Sequence, residues 1–314
     1  MTTGVAAEKG PVMTGNPVRR KRFRTLRAFV KNPRAIAGMM ILGLFAGLAI
    51  FAPLLARYNP QASVFLPMQP PSAAHWFGTT NTGQDLFSQF VWGTQATMMV
   101  GIGGGLIMTV LGVTIGMYAG YKGGTVDAIL NVLTNIFLVL PTLALLIVIE
   151  SYIRNTTPLI NGLIIGLTGW AWGARVFRVQ TMSLVGRDFV VAAKLSGQSD
   201  LRIMFTEILP NTYSILASNL MYSCLGSILA EAGLAYLGYE NVNANSWGTI
   251  LYWASSGNAM LTGAWWWFVP PGIAIALVGM SFALMNFAID QITNPRLKSG
   301  KRRRKRHVTA TPSA

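Results

Sequence analysis

Six stretches of this chain are apolar, free of charged residues and long enough to cross a bilayer as a helix. A hydrocarbon core about 30 Å thick needs roughly 20 apolar residues in a helix. The stretches are residues 35–56, 86–121 (apolar centre 97–119), 128–149, the interval between Arg154 and Arg175 centred on 163–172, 208–230 and 264–289. Composition agrees: 52% of residues are hydrophobic and 11% charged, whereas soluble domains carry about 25% charged residues. The net charge is nevertheless +15 over 314 residues. High hydrophobicity excludes a disordered chain, and a compact nucleic-acid-binding domain would need its basic residues on one soluble face. A single Cys224 excludes an internal disulfide framework and a cysteine metal cluster. His75 and His307 are too few and too far apart for a zinc site.

The basic residues give orientation, because Lys and Arg accumulate in cytoplasmic loops. Nine lie in residues 1–34, one at Lys122, five from Arg175 to Arg202 and eight after residue 290. With six spans these regions share one side and hold 23 of the 25 basic residues, leaving Arg57 and Arg154 opposite. Both termini are therefore expected in the cytoplasm. About 34 residues precede the first span and no small-residue cleavage site follows it, so it is expected to be a retained anchor. Trp265, Trp266 and Trp267 fall at the outer face as an interfacial belt.

The expected organisation has four parts. Residues 1–34 are a basic cytoplasmic tail, in which Phe23, Leu26, Phe29 and Val30 interleave with Arg22, Arg24, Arg27 and Lys31 as in a helix lying on anionic lipid. Residues 35–93 are the first transmembrane helix and an extracytoplasmic segment, extended or turned around Pro60, Pro67, Pro70 and Pro71. Residues 94–290 hold the other five helices, with a cytoplasmic loop at about 180–211. Residues 291–314 are a second basic tail whose run Lys301 to Arg306 suits anionic lipid and topological retention.

That loop has helical periodicity. Asp188 to Ser196 suggests a short helix ended by Gly197 at positive φ. Asp200 is placed to cap a second helix through Leu201, Ile203, Met204, Phe205 and Ile208. Pro210 follows near the start of the fifth span. The expected product is a helix–turn–helix elbow on which Ala192 and Ala193 leave a flat surface for another protein.

The pattern A-A-x3-G-x10-I-L-P at Ala192, Ala193, Gly197, Ile208, Leu209 and Pro210 resembles the EAA loop of permease subunits of bacterial ABC importers. The run from His75 to Ser88 resembles the Gly-Thr-Asp…Gly-Arg-Asp…Ser segment of C-type permeases in the dipeptide, oligopeptide and nickel group. Glu231 to Gly238, Ser246-Trp247-Gly248 and Asn294-Pro295-Arg296-Leu297 extend the resemblance over about residues 22–299. The chain departs from the pattern at four positions. Val191 stands where the EAA glutamate does, Glu207 precedes Ile208, and Gln84 and Gln89 replace arginines.

The resemblance implies an all-α integral membrane protein with six transmembrane helices and the type I ABC importer permease fold. It implies a transport subunit and no enzyme, forming half of a path for peptides across the bacterial cytoplasmic (inner) membrane. No catalytic, cofactor or metal residue is expected here, since ATP and Mg would be held by a partner ATPase. The partners implied are a second permease subunit, one or two ATPase subunits and an extracytoplasmic binding protein, besides membrane lipid and without nucleic acid. Coupling to the ATPase would fall to Val191, Ala192, Ala193, Gly197, Ile208, Leu209 and Pro210. Glu231, Gly233 and Leu237 are candidates for the pathway or outer gate.

The sequence has no G-x-x-x-x-G-K-[ST] run for binding a nucleotide phosphate, and Gly101, Gly103, Gly104 and Gly105 sit inside a span, where they favour close helix packing. Asp127, Glu150, Glu231 and Asp290 fall at expected span ends, where solvated caps are the usual role. Nickel chelates, glutathione and oligosaccharides remain alternative cargoes. An ion-coupled secondary transporter would show inverted repeats and buried ionisable residues. A membrane-anchored structural or signalling protein would not need spans so rich in Gly, Pro and Trp.

Overall fold

The computed structural model describes residues 29–153 and 157–293. The segment before residue 29 expected to lie on anionic lipid, Arg154 and the run Lys301 to Arg306 lie outside the described residues. Within them the chain is helical: α1 Pro33–Ile50, α2 Leu86–Lys122, α3 Gly124–Val139, α4 Thr142–Tyr152, α5 Pro158–Thr168, α6 Ala171–Val185, α7 Asp188–Leu195, α8 Asp200–Ile203, α9 Tyr213–Tyr236, α10 Trp247–Ser256 and α11 Trp265–Thr293. A single turn, Ala52–Leu55, follows α1.

Local chemistry sets the ends of these helices. The Asn32 side chain accepts from the Arg34 N–H at the start of α1, with Pro33 in the first turn, where no N–H is needed. Asp85 caps α2 by accepting from the Ser88 N–H. Gly123, at φ 65°, ends α2 after 37 residues. At 1.5 Å per residue α2 is roughly 55 Å long, well beyond what a bilayer core requires. It begins at residue 86, so residues 86–93 are helical and the irregular segment after α1 is shorter than expected.

Four helices are long and apolar enough to cross a membrane: α1, α2, α9 and α11. The stretch 128–149 is not straight; α3 and α4 meet at an angle of 87° and make a fifth candidate only if taken together. Pro141 forces the break, since the residue before a proline is driven out of the helical region and Leu140 sits at φ −68°, ψ 129°. The fourth expected span is also divided. The apolar helix α5 has 11 residues and stops at Gly169, and α6 then starts at Ala171. The fifth is displaced: α9 begins at Tyr213, beyond the short turn Leu209–Asn211 that holds Pro210, and runs to Tyr236.

Helix α2 is the axis of the bundle, packed against α1, α5, α6, α9 and α10. Small residues let the backbones approach. A Cβ on Gly105 would run into the Cys224 backbone of α9, and one on Gly116 into the Ala174 backbone of α6. Gly101 and Gly104 likewise face Ile228 and Ser227, whereas Gly103 faces open space and takes no part in the seam. Around the first half of α2 an aromatic core gathers Phe45, Phe90, Trp247 and Trp267. Around its last turns a separate core gathers Met117, Phe177, Val190, Ile203, Met204 and Ile208. The expected tryptophan belt is only partly present: Trp265 is exposed, but Trp267 is buried in the first core. Successive helical residues point about 100° apart, so three in a row cannot share one surface.

The two ends of α2 carry different chemistry. Arg57 lies over the Trp76 ring beside the first end. Lys122, Lys194 and Asp200 meet at the other. The loop at Lys122 and the segment 175–202, placed on one side by their charge, are therefore at the same end of the bundle.

Candidate functional site

The expected elbow is present. In α7, Val190 and Ala193 turn inward onto the second core, while Val191, Ala192 and Leu195 are exposed. The two alanines therefore do not form one flat surface: Ala192 faces out and Ala193 supports it. After α7 the chain turns at Gly197, φ 72°. The Gly197 N–H donates to Lys194 O and the Gln198 N–H to Ala193 O, the paired bonds of a glycine-terminated helix. A substituent on Gly197 would meet no neighbour but would be strained by the backbone.

The second arm differs from expectation in detail. Ser199 occupies the cap position of α8, without a side-chain bond, and Asp200 is the first helical residue. The helix then widens into a π turn over Met204–Ile208 before Leu209–Asn211. Pro210 has no N–H to give to a carbonyl four residues back, which suits a widened turn at that point. Ile203, Met204 and Ile208 are buried, so Ile208 belongs to the support of the elbow rather than its exposed face. Leu209 and Pro210 are half-buried.

Asp200 joins this elbow to the bundle. Its carboxylate accepts from the Tyr121 hydroxyl at 2.9 Å and from Lys122 Nζ at 2.6 Å. Lys194 Nζ sits 4.8 Å from the Tyr121 ring centroid, so both arms of the elbow touch the end of α2. The Lys122 ammonium, and next the Tyr121 hydroxyl, hold the Asp200 carboxyl below its ordinary range. Nearby, Arg178 of α6 forks onto Asp127 of α3, Nε to Oδ1 at 2.5 Å and Nη2 to Oδ2 at 2.6 Å. Sequence reasoning missed this network. The charges were visible, but Lys122 and Asp200 are 78 residues apart and Asp127 and Arg178 51 apart, so folding alone pairs them.

At the opposite end the acidic residues are not solvated caps. Glu231 is fully buried, more than a turn before the end of α9, and Glu150 is buried too; Asp290, in the last turn of α11 away from them, is exposed as expected. Neither Glu231 oxygen has a hydrogen bond of acceptable geometry, although Thr97 of α2, Ser246 at the start of α10 and Glu240 surround it. Gly233 is half-buried with its nearest neighbour on Leu143, and Leu237 is half exposed, so these three candidates do not share one surface. Glu240, buried in the connection between α9 and α10, was missed because nothing in its sequence surroundings marks it as internal. A Ser246–Thr249 capping box opens α10, and the Trp247 indole donates to Thr94 Oγ1 at 3.2 Å. Beneath it, buried His75 Nδ1 lies 2.8 Å from Asp85 Oδ1, while Asp85 Oδ2 accepts from the Ser88 hydroxyl at 2.7 Å. The order is His–Asp–Ser with the carboxylate central, which fixes a helix cap and leaves the serine without a base. Among the described residues no cluster of three or more His, Cys, Asp or Glu could hold a metal ion.

Comparison with known proteins gives this arrangement a context. Residues 112–299 match the family described as binding-protein-dependent transport system inner membrane component. Residues 23–71 match the N-terminal TM domain of oligopeptide transport permease C. The chain is 33% identical to the dipeptide transport system permease protein DppC of Alkalihalophilus pseudofirmus over 290 residues, covering 89% of this chain and 90% of the relative. It is 31% identical to the oligopeptide transport system permease protein OppC of Mycobacterium bovis over 286 residues, covering 90% and 97%. With DppC of Bacillus subtilis it shares 31% identity over 277 residues, covering 87% and 85%. With a family match over more than half its length and relatives spanning nearly all of it, the chain belongs to the binding-protein-dependent transport system inner membrane components, and is a multi-pass permease of the inner membrane.

Proposed function

We propose that the chain is the permease subunit of an ATP-driven importer of peptides, forming half of the path with a second, related permease subunit. Substrate is delivered by a binding protein on the outer side. ATP and Mg are held by one or two separate ATPase subunits on the cytoplasmic side. On this reading the chain crosses six times with both termini in the cytoplasm, α5 and its continuation α6 adding a crossing to the four long helices and the bent α3–α4 pair.

The observation that carries this reading is the elbow. Exposed Val191, Ala192 and Leu195 stand on α7, stiffened by buried Val190 and Ala193 and by the Gly197 turn. Through Asp200 the elbow is fastened to the end of α2, the helix against which most of the bundle packs. A push on α7 from an ATPase reaches the bundle through this fastening. ATP shifts the inward–outward equilibrium only to the extent that it favours one ATPase arrangement over the other. Val191, where related loops have Glu, leaves the docking face apolar.

The test is a cysteine pair. In membranes carrying the assembled transporter, Ala192→Cys is expected to cross-link to the ATPase subunit, whereas buried Ala193→Cys is not. Gly197→Trp is expected to abolish uptake of a labelled dipeptide while the chain stays in the membrane. Uptake that survives deletion of the partner ATPase gene would defeat the proposal.

A further inference from the structure

The sealed acidic pair beside α10 is not used by the coupling elbow and lies at the other end of α2. Both oxygens of Glu231 and Oε2 of Glu240 are buried without a hydrogen-bond partner among the described residues. Two carboxylates facing each other in a low-dielectric setting repel, whereas one proton between them makes a strong bond. The surroundings favour Glu231 as the acceptor. Thr97 Oγ1 accepts from the Trp247 N–H and Ser246 Oγ from the Thr249 N–H, so each hydroxyl keeps its own proton to offer. Glu231 also stands near the start of α10, where the helix dipole favours negative charge.

We propose that Glu240 carries a proton that it donates to the Glu231 carboxylate, latching the 237–246 connection over the junction of α9, α10 and α2, and that the pH of the outer solution opens and closes this latch. Loss of the proton to that solution leaves two buried negative charges, and the connection swings out to hydrate Glu240.

Burial, followed by the charges of Glu231 and Glu150, pushes the Glu240 carboxyl up to about 9. The charged or titratable groups acting on the pair are Glu150 from α4 and the two partners themselves. From α2 and α10 come only the Thr97 and Ser246 hydroxyls, and among the described residues no Lys, Arg or His takes part. The sign follows directly. A carboxyl raised in the closed form favours closure at low pH, and the preference declines as pH rises from the ordinary carboxylate range to about 9. Each pH unit in that window changes the closed-to-open ratio about tenfold. Apart from the pair, three side-chain bonds tie the middle of the connection to its neighbours: Gln61 Nε2 to Asn243 O at 3.0 Å, Trp253 Nε1 to Val242 O at 2.8 Å and Thr249 Oγ1 to Ala244 O at 2.7 Å. A proton is the ligand that fits, because Glu231 has no exposed surface and the cluster lacks metal-binding geometry.

The experiment uses the full chain in vesicles of defined sidedness and needs neither substrate nor ATPase, so it can fail independently of the transport reading. The infrared carbonyl band of protonated carboxyl groups is followed through a pH titration, and a spin label is placed at Asn243→Cys with Cys224→Ala. The expected result is a buried-carboxyl band that persists at neutral pH, disappears on alkalinisation and is missing in Glu240→Gln. Label mobility should rise with the loss of the band when external pH alone is raised. In Glu240→Gln, whose amide still donates to Glu231, the label should stay immobile at every pH; in Glu240→Ala it should be mobile throughout. A neutral-pH band that survives in both variants overturns the proposal. So does a label indifferent to pH, or one that responds only to the internal solution.

Discussion

The polar groups at the two ends of α2 are held in different ways. At the first end polar groups are buried and locked by packing: His75 against Asp85, Asp85 on the α2 cap, Trp247 between Phe45 and Phe90. At the Lys122 end an apolar core also supports the elbow, but the polar contacts beside it are more exposed: Asp200 with Lys122 and, next to them, the better-shielded Asp127–Arg178 fork. Packed aromatics tolerate little displacement, since the interior is dense and every lost contact costs. Exposed ion pairs can lengthen and reform in water at small cost. The difference suits the proposed lever: a rigid frame at the first end and a joint at the Lys122 end that would keep its connection while it moves.

If that contrast holds, substitutions at the outer end should act on folding and those at the elbow on coupling. Trp247→Ala should be the most damaging, destabilising by roughly 3–5 kcal/mol through the cavity it leaves, measured by thermal unfolding in detergent. Asp85→Ala should cost about 3 kcal/mol, since it removes a helix cap and strands a buried imidazole; the same unfolding assay checks it, and a loss below about 0.5 kcal/mol would mean that this end is not rigid. Arg178→Ala, at the partly shielded fork, should cost about 2 kcal/mol. It should also lower uptake per ATP hydrolysed, measured in proteoliposomes with the ATPase present.

Lys122→Ala should leave unfolding essentially unchanged, because the pair is exposed, yet reduce uptake per ATP hydrolysed. High salt should mimic it in the wild type. Equal losses of stability and coupling would break the comparison. The smallest effect expected is the acid limit of the joint. Asp200 is held below its ordinary range, so its contribution is present above that range and is lost only as pH falls through the depressed value. Mobility of a spin label at Ser199→Cys should therefore stay constant through the usual carboxylate range and rise below it.

The elbow was unusually legible because its signals are local. Gly197 ends a helix by its own backbone freedom, and the spacing from Ala192 to Pro210 sits in one contiguous segment. The direction of each side chain was not legible. Ala192 and Ala193 looked equivalent until the second core claimed Ala193, and Asp200 looked like a cap until α2 brought Tyr121 and Lys122 to it. The straightness of the spans was equally hidden. Pro141 stands inside the stretch expected as one span, and the structure bends the chain by 87° there.

By itself the sequence determined which segments are apolar and that most of the basic residues lie outside them. Both follow from composition summed over a helix length, which no distant contact can alter. Tertiary structure decided where the few remaining polar groups go. Glu231 and Glu240 are ordinary acidic residues in the chain; they become a sealed pair only when α2, α9 and α10 close around them. An isolated residue carries no information about the dielectric it will meet, and that dielectric separates a solvated cap from a buried proton site.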